Sequence, residues 1–308
     1  MKAVISTKNP MSWLAALAIV AAFCLSNQAV AQSMAQDAAN SPVIATVNVT
    51  AQSDGLAEEA RTGAYQQPEW VQYRRFATSR VHIQRNPWEV SVEQWWRGRY
   101  DNGEWKHRFQ EEIEIGLPGR VQLDFYYDWV VENDKAEHLD VSGEIRWAPA
   151  DWGVIPLNPA LYLEYKIVDP SQGGDVIEPK ILFGEELGGG WQWALNLVYE
   201  RELAGEKAEE FSVTQALSKS LIDNKLSLGV EMAWKRETVA AGRGSPEQKL
   251  IAGPSVQWRP TTNSHLDLVG LVGCTKHSPD FEGWLVFGVN FGKVASLKST
   301  HAPVSGRR

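Results

Sequence analysis

VQLDFYYDWVVEN, residues 121–133, alternates two kinds of side chain. Val121, Leu123, Phe125, Tyr127, Trp129 and Val131 fall on one parity, and Gln122, Asp124, Tyr126 and Asp128 on the other. Side chains of a strand point alternately to its two faces, so the stretch is a strand with an apolar medium on one side and a polar one on the other. A protein core or lipid could supply the apolar side.

The same alternation recurs between punctuating turns. It predicts twelve strands: Trp88–Tyr100, Glu104–Gly116, Arg120–Val131, His138–Trp147, Ala160–Val168, Val176–Glu186, Trp191–Leu203, Phe211–Lys219, Leu226–Lys235, Lys249–Trp258, His265–Cys274 and Glu282–Phe291. Most match the roughly 9–11 residues a tilted strand needs to cross a bilayer. With both chain ends on one side, one set of links includes Leu117-Pro118-Gly119 and Gly188-Gly189-Gly190, and the other includes Arg236 to Gln248. Apart from the tight Asp101-Asn102-Gly103 hairpin and the long Ala148 to Pro159 link, the second set is longer and more charged. Outer-membrane barrels have this asymmetry of short periplasmic turns and longer outer loops.

The fold expected is therefore all-β, an antiparallel transmembrane β-barrel of about 12 strands with a flexible N-terminal leader. Two arguments favour lipid over a protein core. Trp105, Trp129, Trp147, Trp191, Trp193, Trp234, Trp258 and Trp284 are read on the apolar face near strand ends, where Trp suits a lipid–water boundary. Closure also removes the edges that an open sheet of this width would expose. Leu123, Phe125 and Trp129 would then face lipid.

Residues 1–31 read as a signal peptide: Lys2 and Lys8 precede the apolar run Trp13 to Leu25, and Ala29-Val30-Ala31 supplies small residues for cleavage. Residues 32–87 are expected to be a flexible periplasmic leader, with the basic and aromatic cluster Tyr73, Arg74, Arg75 and Phe76 either a short plug or a lead-in to the first strand. Residues 88–292 form the barrel and 293–308 a polar tail. Ala45 to Gln52, ATVNVTAQ, resembles the box by which TonB-dependent receptors pair a strand with their energising partner. The chain is too short for that family's plug and large barrel, so a TonB-type partner is not expected.

Composition excludes several classes. A net charge of -8 argues against nucleic acid. Beyond the signal segment only Cys274 remains, so no internal disulfide is expected, and six scattered His give no zinc pattern. No cofactor or metal is anticipated.

The expected polar face carries Glu93, Arg97, Asp124, Asp128, Asp140, Glu144, Arg146, Glu164, Lys166, Glu231 and Lys235 as lumen-lining candidates. Such charges either cross-link the interior or line a path for polar solutes. No catalytic residue is assigned. His138, Asp140 and Ser142 share a strand face, but successive residues on one face stand about 6 to 7 Å apart, too far for a base and nucleophile about 3 Å apart. The paired carboxylates Glu111-Glu112 and Glu185-Glu186 read as solvated charges near loops.

Gln66 to Gly98, QQPEWVQYRRFATSRVHIQRNPWEVSVEQWWRG, together with GPSVQWRPTTNSHLDLV at 253–269 and GWLVFGVNFG at 283–292, resembles bacterial outer-membrane β-barrel proteins grouped with putative transporters of the phenol meta-pathway type. The resemblance implies passage of small, organic solutes through the outer membrane of a Gram-negative bacterium without fixing functional residues. It also implies outer-membrane lipid and the barrel-assembly machinery as partners. The polar tail after Phe291 departs from the usual barrel ending. Two other readings remain: a closed barrel acting through its outer loops, and a lipid-modifying enzyme.

Overall fold

The computed structural model describes residues 55–132 and 135–292. The signal segment, the TonB-box-like stretch and the polar tail lie outside the described residues. Twelve strands run β1 (Val90–Asp101), β2 (Glu104–Leu117), β3 (Val121–Glu132), β4 (Lys135–Trp147), β5 (Ala160–Val168), β6 (Val176–Gly188), β7 (Trp191–Glu202), β8 (Glu209–Ile222), β9 (Leu226–Thr238), β10 (Glu247–Thr261), β11 (Ser264–Gly273) and β12 (Phe281–Phe291). Each pairs antiparallel with its sequence neighbour, and β1 pairs with β12 from Val90↔Phe291 to Tyr100↔Phe281, closing the barrel.

The opening stretch becomes β3. Gln122, Asp124 and Asp128 are fully buried inside, and Phe125 and Tyr127 are about half exposed outside. Ile113, Val141, Ile145, Leu161, Leu163 and Val230 extend the exposed apolar surface around neighbouring strands. An outer belt of this kind is suited to lipid, because it places apolar side chains where water would be costly.

The inside is filled over its lower half, the half at which β1 begins and β12 ends. Residues 55–89 enter the lumen, rise to about the middle of the barrel at Arg80 and descend to β1. Their only regular pieces are a 3-10 turn at Ala57–Glu59 and the short helix α1 (Glu69–Tyr73), which begins after Pro68. The remainder lacks the alternation that would make it a strand. Two apolar clusters seat it: Trp70, Val71, Phe76 and Val81 against Trp152, Ala194 and Ala216, and Tyr65 and Ile83 against Ala148, Ala160, Tyr162 and Leu182. Small residues on the barrel wall make the room. A Cβ on Gly184 would lie 2.5 Å from Val81 Cγ1, and one on Gly116 2.0 Å from the Asn86 carbonyl.

Of the two alternatives for Tyr73–Phe76 the structure has the plug, and it extends that plug over residues 55–87, where a flexible leader was otherwise expected. The correction has a physical reason: the segment's own composition cannot support a core, but the barrel wall supplies the other half of one. The Ala148–Pro159 link is likewise more than a connector, because it turns the buried Trp152 into the barrel mouth, where its backbone N–H donates to the Tyr65 carbonyl at 2.9 Å.

The lumen, its plug and the cavity above it

An irregular segment inside a barrel leaves backbone groups without a ladder, and these need partners. The lumen wall supplies them. The backbone N–H groups of Gln84 and Arg85 donate to Gln122 Oε1 at 2.9 and 3.0 Å. Arg80 exchanges two bonds with Asn196, N–H to Oδ1 at 2.7 Å and Nδ2 to the Arg80 carbonyl at 2.8 Å. Thr78 donates from its N–H and its hydroxyl to Glu231 Oε2.

Four plug arginines meet the lumen's charges. Arg74 donates to Asp267 Oδ1 at 2.6 Å and Ser255 Oγ at 3.0 Å. Arg75 donates to Glu93 Oε1 at 2.7 Å and Glu114 Oε2 at 3.0 Å. Arg85 Nε lies 2.9 Å from Glu114, and Arg80 lies 3.6 Å from Glu112. Arg74, Arg75 and Arg85 are fully buried, so these pairs must supply the stabilisation lost with water. Arg is suited to the role because its planar fork can serve two carboxylates at once.

All eleven sequence-predicted lining residues stand on the inner face, but they divide by height. Glu93, Asp124, Glu144, Arg146 and Glu231 belong to the plugged half. There Arg146 joins Asp124 and Glu144 at 3.1 and 2.7 Å and reaches plug residue Gln84. Arg97, Asp128, Asp140, Glu164, Lys166 and Lys235 lie higher. Asp128 pairs with Arg108 at 2.7 Å, Lys166 with Glu178 and Glu200, and Lys235 with Glu210. Glu164 accepts from Ser142 and Tyr162. Arg97 pairs directly with neither Glu93, which lies four residues away on the same strand and bonds Arg75, nor Asp128, which bonds Arg108.

Two further readings change. Trp284, expected on the lipid face, lines the lumen with Trp95, their rings 6.2 Å apart and edge to face. It shares its parity with Glu282 and Val286, so the strand's own pattern carried the signal. Glu112 is not a solvated charge but fully buried beside Arg80, and its neighbour Glu111 faces outward and accepts from Trp129 Nε1 at 3.1 Å. His138, Asp140 and Ser142 do not assemble: His138 turns to Asp169 at 3.7 Å, and Ser142 donates to Glu164.

Carboxylate oxygens of Glu93, Glu112 and Glu114 lie within 4.8 Å of one another. The guanidinium groups of Arg75, Arg80 and Arg85 already balance them, so this is an ion-pair cluster rather than a vacant cation cage. Above the plug, a cavity of about 210 Å³ extends across the lumen, floored by Ala77–Arg80 and walled by charged residues of the upper strands.

At the lower rim, Glu58 is buried between Gln192, which donates to it at 2.8 Å, and the carboxylate Asp223, which caps the Ala57 and Glu58 N–H groups. Burial pushes the Glu58 carboxyl up to about 7. Between the ordinary carboxylate range and about 7, the seated residue holds a proton that a released chain would lose. Anchoring is then fully present at low pH and weakens as pH rises through that window. Limited proteolysis of residues 55–67 should be faster at pH 8 than at pH 5.5, and Glu58→Gln should abolish the difference.

Residues 162–287, under half of the chain, match the family described as putative MetA-pathway of phenol degradation. Among solved structures, the COG4313 outer membrane channel from Pseudomonas putida F1 is 9% identical, with 68% of this chain and 98% of that chain covered at a TM-score of 0.52. The NanC porin is also 9% identical, with 66% and 100% covered and a TM-score of 0.48. The KdgM porin in complex with disordered oligogalacturonate is 9% identical, with 66% and 99% covered and a TM-score of 0.45. No curated protein matches the sequence. The fold is that of an outer-membrane β-barrel.

Proposed function

We propose that this outer-membrane barrel, which resembles the phenol-degradation family of putative transporters, is a channel for small solutes whose periplasmic half is occupied by its own N-terminal plug. The observation that carries the reading is the polar cavity of about 210 Å³ above the plug, lined by charged side chains from most of the strands. A barrel serving only as a scaffold has no need of that lining. The plug is held by packing, hydrogen bonds and ion pairs, and not by any disulfide: Cys274, on the outer side, is free. Passage therefore needs a rearrangement of noncovalent contacts and no bond cleavage. The likeness in fold to the outer membrane channel from Pseudomonas putida F1 supports this reading. An enzymatic role lacks an assembled nucleophile and base among His138, Asp140 and Ser142.

The second reading is a sealed barrel acting through its outer loops, favoured by the packed lower half. Conductance of the full mature chain in a planar lipid bilayer separates the two. A channel is expected to give discrete steps, and Asp128→Asn, which frees Arg108, should shift selectivity toward anions. Silence from protein that retains heat-modifiable migration, in the parent and in variants that loosen the plug, would favour the sealed barrel.

A further inference from the structure

The cavity above the plug is lined by seven Lys and Arg side chains. Six of them are ion-paired: Arg80 with Glu112, Arg99 with Glu282, Arg108 with Asp128, Lys166 and Lys180 with Glu178, and Lys235 with Glu210. Arg97 is the exception, having no carboxylate within ion-pair distance among the described residues. Its register partner on β12 is Trp284, and its guanidinium lies 5.3 Å from the centre of that ring. The carboxylate nearest in register, Glu282, is committed to Arg99 through two bonds of 3.0 and 2.9 Å.

The surroundings of Arg97 are aromatic. Trp95, two residues earlier on the same face of β1, meets Trp284 edge to face, and Arg80 covers the Trp95 ring at 4.4 Å. The Trp95 Nε1–H is buried and has no acceptor. A buried donor without an acceptor carries a desolvation cost that a ligand can relieve. A guanidinium outside any direct ion pair and an indole N–H without an acceptor therefore belong to one tryptophan-lined wall, in a space floored by the plug.

We propose that Arg97, Trp95 and Trp284 form a binding site for a small organic carboxylate with a flat apolar body, in the outer half of the lumen. The carboxylate supplies the charge and the acceptor that the wall lacks, and the flat body packs against the indoles. The ion pairs around it keep the other cations occupied, so the anion is directed to Arg97 and not spread over the cavity. This inference deepens the channel reading and rests on it for its purpose. The plug beneath makes the site a place where a solute waits until the lower half opens.

Calorimetric titration of the full mature chain in lipid nanodiscs tests it with three probes: benzoate, acetate and benzyl alcohol. Benzoate is expected to bind at one site, acetate at least tenfold more weakly, and benzyl alcohol without measurable saturation. Arg97→Gln should weaken benzoate at least tenfold while heat-modifiable migration is unchanged, and Arg97→Lys should recover part of the loss. Equal benzoate affinity in Arg97→Gln, benzyl alcohol binding as tightly as benzoate, or no benzoate binding by folded protein would each overturn the site. Conductance is read separately. A protein that conducts without binding benzoate refutes the site alone, and one that binds benzoate but never conducts refutes the channel alone.

Discussion

Arg75→Ala is expected to unseat the plug and leave the barrel standing. Arg75 is buried and bridges Glu93 on β1 to Glu114 on β2. Its loss leaves the buried carboxylates Glu93, Glu112 and Glu114 crowded, with Arg80 and Arg85 as the remaining guanidinium neighbours and His265 beside Glu93. Removing one partner of a buried ion pair costs about 3–5 kcal/mol, because the other charge stays desolvated. The barrel cannot relieve that cost, since its strands are fixed by closed ladders on both sides. The plug can, by withdrawing and admitting water to the carboxylates. Trypsin should then cut at Arg61, Arg74 or Arg80 in the variant under conditions where the parent resists. Bilayer conductance should rise from that of the parent, with barrel migration still heat-modifiable. Arg75→Lys keeps the charge but not the two-armed geometry, so its effect should be intermediate. A variant as protected as the parent and no more conductive would show that apolar packing at Trp70 and Val81, rather than the ion pairs, retains the plug.

The strands were legible because their chemistry repeats every second residue, and one parity assignment fixes a whole strand. All eleven lining candidates come from that rule, and the same rule places Trp284, which shares its parity with Glu282 and Val286, although tryptophan's preference for a lipid–water boundary points the other way. What the alternation does not encode is height. Asp124 and Asp128 are equivalent in pattern, yet the first meets Arg146 beside the plug and the second Arg108 beside the open cavity. The plug was the least legible part, because residues 55–89 carry no period. Their signal was complementarity: a stretch with Arg74, Arg75, Arg80 and Arg85 among aromatics precedes a barrel whose inner face is acidic. Trp152, in a link expected to be a connector, was hidden for the same reason, since its partner Trp70 lies in the plug.

The medium around the barrel is open to a direct test through Phe125, the fifth residue of the twelve in β3 and half exposed on its outer face. Its directly opposed neighbours are Ile113 and Gly143, and the outward carboxylate diagonal to it, Glu111, is already held by Trp129 Nε1, so a new cation there has no acid directly opposite. Phe125→Arg in a bilayer should lower folding stability by about 2 to 4 kcal/mol, the range for a cation near the midplane of a barrel's lipid face. Arg can reduce this cost by extending its head toward an interface, a long reach from mid-strand, or toward Glu111, so the exchange is made in a Glu111→Gln background. Urea-induced unfolding in lipid vesicles measures the difference. In water the same exchange would remove an exposed aromatic ring and add a solvated charge, with little cost to the fold. A variant as stable as the parent in vesicles would therefore mean that the exposed face of β3 does not meet lipid, and that the alternation in VQLDFYYDWVVEN reflects another apolar neighbour.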